Sequence, residues 1–165
     1  MRVTYCRELK VKEELEARDV NCFVPMTYKR QPGDSGNKRL VPAIHNLIFV
    51  FASSEKIKEI KAEPIMSDSV RFIMDRELHR PMTIPTRAME DFIRISESRV
   101  EETLYLTPEE LQLKEGDLVR VKTGIWEGIT GRFVRIKRGL RVVVELNGIM
   151  AVATTSMPPH MIEKI

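Results

Sequence analysis

Only two cysteines, Cys6 and Cys22, and three histidines occur among the 165 residues. The cysteines have neither a metal-finger spacing nor a disulfide-rich context, so reduced thiols in a cytoplasm are expected. His45, His79 and His160 are scattered, and neither cysteine has a base partner close by in sequence. No phosphate-cradling glycine loop, triad or paired-carboxylate pattern is present, which argues against an enzyme and against any cofactor or metal. The longest apolar stretch, Leu47 to Ala52, has six residues, far short of the ~20 that span a bilayer, so no membrane partner is expected. An apolar leader is not expected either, because the stretch after Met1 runs straight into Arg7, Glu8, Lys10 and Lys12. Charge excess is also small. Serious phosphate binders neutralise roughly 6–10 charges, whereas the net charge here is +3, so nucleic acid is not expected to supply the main affinity.

What is present describes a globular chain, 42% apolar and 31% charged, long enough for one domain or two small ones. Its charge is unevenly spread. Residues 1–99 hold 18 basic and 15 acidic side chains; residues 100–110 hold Glu101, Glu102, Glu109 and Glu110; residues 111–165 hold 9 basic and 5 acidic. Two mildly basic units joined by an acidic connector are therefore expected, with boundaries at 1–100, 101–110 and 111–165.

Val11 and Leu15 one turn apart, with Glu8 and Lys12 at i,i+4, predict a helix over 7–19. Cys22 to Pro25 predicts a short strand. Lys29 to Arg39 has no apolar residue and contains Pro-Gly and Ser-Gly, which predicts a loop. Leu47 to Phe51 predicts an apolar strand, followed by a helix carrying Ile57 and Ile60 and capped by Ser53 or Ser54. Val70 to Met74 alternates as a strand, Pro81 and Pro85 bound an extended piece, and Thr86 is expected to cap a helix with Met89, Phe92, Ile93 and Val100 on its apolar side. This order predicts an α+β N-terminal domain, an antiparallel sheet with packed helices. Thr107-Pro108-Glu109-Glu110 predicts a one-turn capping box. Beyond it every signal is β: strands at 118–122, 129–136, 140–146 and 149–154, a hairpin turn at Asn147-Gly148, and a fifth strand at 161–165. With little core and no disulfide, a unit this small is expected to close into an all-β barrel.

Gly124, Gly128 and Gly131 punctuate the β half among apolar positions, marking tight turns and close backbone approach. The segments Gly116-Asp117-Leu118-Val119-Arg120-Val121, Gly124-Ile125-Trp126-Glu127-Gly128 and Gly131-Arg132-Phe133-Val134 resemble the KOW motif of the NusG family of transcription elongation factors, a short motif also found in ribosomal proteins. His45-Asn46-Leu47-Ile48-Phe49-Val50 resembles that family's Pro-Gly-Tyr-Val-Phe-Val segment, and Val70 to Ile73 with Pro81, Ile84 and Pro85 resembles its following segments. Asn46 in place of Gly, and Val20-Asn21-Cys22-Phe23-Val24-Pro25-Met26, are similar to the RfaH and UpxY type that serves capsular polysaccharide operons. The family's opening Trp-Tyr pair falls just before Met1 in gapless register, as expected if Met1 is an internal methionine or the beginning has been trimmed.

The resemblance implies an NGN-like N-terminal domain followed by an SH3-like KOW barrel, in a cytoplasmic antitermination or elongation factor. Such a factor binds RNA polymerase and raises its processivity at specific operons. A housekeeping NusG and an RNA-binding or ribosome-associated KOW protein are the alternatives. The implied polymerase contacts are Tyr5, Ile44, His45, Asn46, Leu47 and Phe49. Strand alternation puts Leu47, Phe49 and Phe51 on one face and Ile48 and Val50 on the other, so core packing competes for some of them. Lys29, Arg30, Lys38 and Arg39 are candidates for upstream or non-template DNA, with solvation as the plain alternative. In the tail, Arg132, Arg135, Lys137, Arg138 and Arg141 are candidates for nascent RNA, a ribosomal protein or a termination factor. Trp126 joins them, although packing against the glycine turns is its first reading. Val142-Val143-Val144 and Asn147-Gly148 predict that the tail keeps its strands and does not refold into helices.

Overall fold

A computed structural model describes residues 1–30, 37–98, 103–112 and 116–165. The centre of the Lys29–Arg39 segment (31–36), Val100, Glu101 and Glu102 lie outside the described residues, as does Lys114. Contacts divide the chain into two compact units, Met1–Thr83 and Ile84–Ile165.

In the first unit, β1 (Arg2–Val3) leads to α1 (Glu8–Glu16), β2 (Asn21–Phe23), β3 (Met26–Arg30), β4 (Lys38–Pro42) and β5 (Phe49–Phe51). Two helices, α2 (Ser54–Ala62) and α3 (Pro64–Ser69), precede β6 (Val70–Arg71), β7 (Met74–Asp75) and β8 (Arg80–Pro81). All ladders are antiparallel. The pair β2–β5 connects to the pair β1–β6 through an Arg2–Leu47 bridge, secured by the Val3 amide on the Asn46 carbonyl at 3.0 Å. Val11 and Leu15 of α1, Ile60 of α2 and Met66 of α3 pack with Val3, Val20, Val24, Ile48 and Val70 into one core. The expected cap of α2 is present: Ser53 Oγ accepts from the Lys56 amide at 3.2 Å.

Two expectations fail locally in this unit. The Lys29–Arg39 segment is a hairpin at both described ends, with Lys29 opposite Arg39 and Arg30 opposite Lys38. Three further opposed pairs continue it to Met26 and Pro42, so backbone pairing holds strands where the Lys29–Arg39 side chains offer no apolar alternation. The strand expected over 70–74 divides into β6 and β7, each paired with a different partner.

The second unit begins with α4 (Thr86–Glu97), β9 (Leu104–Leu106) and α5 (Pro108–Gln112). Then come β10 (Asp117–Val121), β11 (Thr130–Ile136), β12 (Gly139–Leu146), β13 (Met150–Ala153), a 3-10 turn at Pro159–Met161, and β14 (Ile162–Lys164). These strands form one six-stranded antiparallel sheet in the order β14-β10-β11-β12-β13-β9. Gly131 is required by close approach, since a Cβ there would lie 2.4 Å from the Val143 carbonyl oxygen on β12. Asn147 and Gly148 take φ of 44° and 68°, the left-handed pair of a two-residue hairpin turn. The capping box closes reciprocally, with Thr107 N–H on Glu110 Oε2 at 2.9 Å and Glu110 N–H on Thr107 Oγ1 at 3.4 Å.

Helix α4 was expected on the sheet of the first domain, with the boundary at residue 100; it packs instead in the second unit, against β12 and β13. Phe92 and Ile95 are fully buried there, and the Phe92 ring lies 6.2 Å from that of Tyr105 on β9. Opposed residues share a sheet face, so α4 covers the face of Tyr105 and its partner Val152. This explains why Val142, Val143 and Val144 are all buried: one side of β12 faces the Leu106-Val134-Ile136 cluster and the other is roofed by the helix. Thr86 is the first residue inside α4, and Pro85 at the cap position contributes no side-chain bond. Residues 104–106, expected within the linker, are the outer strand of the sheet.

Candidate functional site

The turn before Leu47 and the turn after β1 are built as one piece. Asn46 adopts φ 62°, a left-handed conformation that asparagine tolerates better than most residues. Its side-chain oxygen accepts from the Cys6 amide at 2.9 Å, and its own amide donates to Glu8 Oε1. Tyr5 and Cys6 are also left-handed, at φ 57° and 51°. The Thr4 amide and hydroxyl anchor the start of that turn on the Ser69 and Asp68 carbonyls, at 3.0 and 3.1 Å. Three left-handed non-glycine residues therefore meet across two segments 40 positions apart, each at a cost of about 1–2 kcal/mol.

On this frame the six expected contact residues divide by exposure. Tyr5 is 85% exposed, its ring 5.5 Å from the Arg7 guanidinium. His45 is exposed, and Ile44 and Asn46 are half-buried. Leu47 and Phe49 are buried, at 5% and 7%. Alternation does not hold through this stretch, since Ile48 is buried as well and Phe51 is 70% exposed. An apolar cavity in the unit is lined by Met1, Leu15, Val50, Ile57, Ile60, Lys61, Met66 and Val70, none of the six.

Sequence reading missed Cys6 and Glu8. Glu8 opens α1, where a carboxylate suits the helix N-terminus, yet it is only 1% exposed. His45 Nδ1 lies 4.0 Å from Glu8 Oε1. The sole advance sign was an acid at the inner edge of a predicted helix. Cys22 differs from Cys6: it is half-buried, and burial raises its thiol pKa.

Lys29, Arg30, Lys38 and Arg39 are exposed in two directly opposed pairs. In the second unit Arg132, Arg135, Lys137 and Arg138 are exposed, but Arg132 and Arg135 point from opposite faces of β11. Trp126 is buried, at 6% exposure. Arg141 is buried, donating to the Thr154 carbonyl at 2.7 Å, and so ties β12 to the chain beyond β13. The Trp126 turn is held by α4. Arg94 donates to the Glu127 and Ile125 carbonyls at 3.1 and 3.0 Å, Arg87 to the Gly128 carbonyl at 3.0 Å, and buried Asp91 accepts from the Thr130 amide.

The family model described as transcription termination factor nusG matches residues 1–93, more than half of the chain and all six residues of the first surface. The chain belongs to the NusG family. NusG membership makes it a transcription elongation or antitermination factor in general terms, from a non-enzymatic family whose members bind RNA polymerase. The NusG match ends inside α4, so β9 to β14 lie beyond it. Comparison with curated proteins gives no match. No helix among the described residues is long and apolar enough to cross a membrane.

Proposed function

We propose that this NusG-family chain is a specialised antitermination factor of the RfaH/UpxY type. Its first unit docks on RNA polymerase through the surface of Tyr5, Ile44, His45 and Asn46, with Leu47 and Phe49 as the packed floor. The observation that carries this reading is the juxtaposition of an 85% exposed tyrosine with the 44–46 turn inside the family-matched segment. An exposed aromatic on a frame fixed by three left-handed residues is a preorganised anchor, and such anchors supply most of the affinity of an interface. No chemistry is involved: the factor acts by binding the processive state of polymerase more tightly than the paused one. The hairpin cations serve DNA beside the enzyme, and residues 111–165, read as a KOW barrel, recruit a further partner through Arg132, Arg135, Lys137 and Arg138. Action at specific operons, polysaccharide clusters among them, and a cytoplasmic location complete the reading.

Core polymerase titrated with the full chain tests it. Tyr5→Ala combined with His45→Ala is expected to weaken binding by about 30-fold, the equivalent of about 2 kcal/mol, with circular dichroism unchanged. Unchanged affinity in the folded double variant refutes the surface. A survey of terminator reporters separates the specialised factor, which acts on few, from a general one, which acts on most.

A further inference from the structure

We propose that Cys6, Glu8 and His45 form a zinc-binding site. One thiol sulfur, one carboxylate oxygen and one imidazole nitrogen from these residues all lie within 4.8 Å of one another. Zinc bonds of about 2.0–2.3 Å in a tetrahedron require donor separations of roughly 3.3–3.8 Å. Closing the remaining ångström falls to Cys6 and His45, both exposed and therefore able to change rotamer, while Glu8 stays fixed in its buried position.

Charge makes the same case. A carboxylate that is 1% exposed needs hydrogen-bond or charge partners. Among the described residues, these are the Asn46 amide and His45, whose Nδ1 lies 4.0 Å from Glu8 Oε1. A divalent ion bound by a thiol sulfur, a carboxylate oxygen and an imidazole nitrogen would add a full counter-charge beside that buried carboxylate. The donor set also selects the metal: sulfur and nitrogen ligands disfavour magnesium and calcium and suit zinc, and three protein ligands leave a fourth position open.

The supporting shell is already assembled. Asn46 holds the Cys6 backbone through its side chain and the Glu8 carboxylate through its amide, so one residue orients two ligands, as outer-shell partners of metal sites do. The left-handed backbone of Cys6 and Asn46 is what brings positions 6 and 45 together. The inference goes beyond polymerase docking and does not depend on it, although His45 belongs to both sites.

The test is titration of the metal-free full chain under reducing conditions with Co2+ as a spectroscopic stand-in, without polymerase. Binding of one Co2+ per chain with a thiolate-to-cobalt charge-transfer band, displaced by Zn2+, is expected. Cys6→Ser should abolish the band, Cys22→Ser should leave it intact, and His45→Ala should weaken binding at least tenfold. Absence of the band, its loss with Cys22→Ser alone, or undiminished binding by His45→Ala overturns the site. Glu8→Gln can disturb the fold by unpairing Asn46, so the decision rests on the two exposed ligands, whose variants are checked by circular dichroism.

Discussion

Lys137 sits at φ 54° in the two-residue turn between β11 and β12, where a side chain costs about 1–2 kcal/mol relative to glycine's easy access. Part of that gain is lost to the greater freedom of glycine in the unfolded chain. Lys137→Gly is therefore expected to stabilise the protein by about 0.5–1 kcal/mol, read as a raised midpoint in urea denaturation. Nothing in the local sequence marks Lys137 as left-handed, whereas Asn147-Gly148 announces its turn through residue types alone. Glu63 supports a second prediction. Arg18 grips both its carboxylate oxygens, at 3.3 and 2.6 Å, and this hydrogen bonding holds the Glu63 carboxyl below the usual glutamate range. A depressed folded-state value means the contribution is complete above the ordinary glutamate range and disappears as pH falls through the lowered value. In acid titrations followed by circular dichroism, Glu63→Gln should narrow the stability difference between neutral and acidic pH. An unchanged pH profile excludes a role for the pair.

The β3–β4 hairpin places Lys29 opposite Arg39 and Arg30 opposite Lys38, and like charges directly across a ladder are destabilising. Exposed cations in opposed pairs suit the phosphates of the DNA proposed as their partner. Removing Arg30 and Arg39 together should lower affinity for a duplex of any sequence and reduce the slope of log K against log salt by about 2, roughly one per lost phosphate contact. An unaltered slope leaves the cations as a solvated surface. The loop reading of this segment missed its strands because pairing strength resides in the backbone and in what the partner strand offers. Helix α4 shows the same limit differently. Its apolar stripe was legible at Phe92, and burial of Phe92 and Ile95 contributes about 1.5–3 kcal/mol each. A stripe says that a helix packs, not against which sheet; that was decided by Tyr105, the β12–β13 surface, and the carbonyls that Arg87 and Arg94 reach.

The division at Thr83 and Ile84 carries a prediction about autonomy. A fragment of residues 84–165 keeps α4 and β9, and with them the cover over β12 and β13, so it should unfold cooperatively. A fragment starting at 111 loses Phe92, Ile95 and Leu106 from its core and the partner strand of β13. It should show faster amide exchange in β12 and β13 and a lower melting temperature. Equal protection in the two fragments would show that α4 and β9 are dispensable to the sheet. Such exchange data also test the expectation that the tail keeps its strands, since substantial helix in residues 116–165 would overturn it.

Turns, caps and the periodic strands of the second half were written in the residues, because each depends on conformational preferences and hydrogen bonds within three or four positions: Ser53 with Lys56, Thr107 with Glu110, Asn147 with Gly148. The meeting of Cys6, Glu8 and His45, the seat of α4, the pairing of β9 with β13 and the burial of Leu47 were settled only in three dimensions. Each is a contact between segments far apart along the chain, and no local preference encodes which distant surface will arrive.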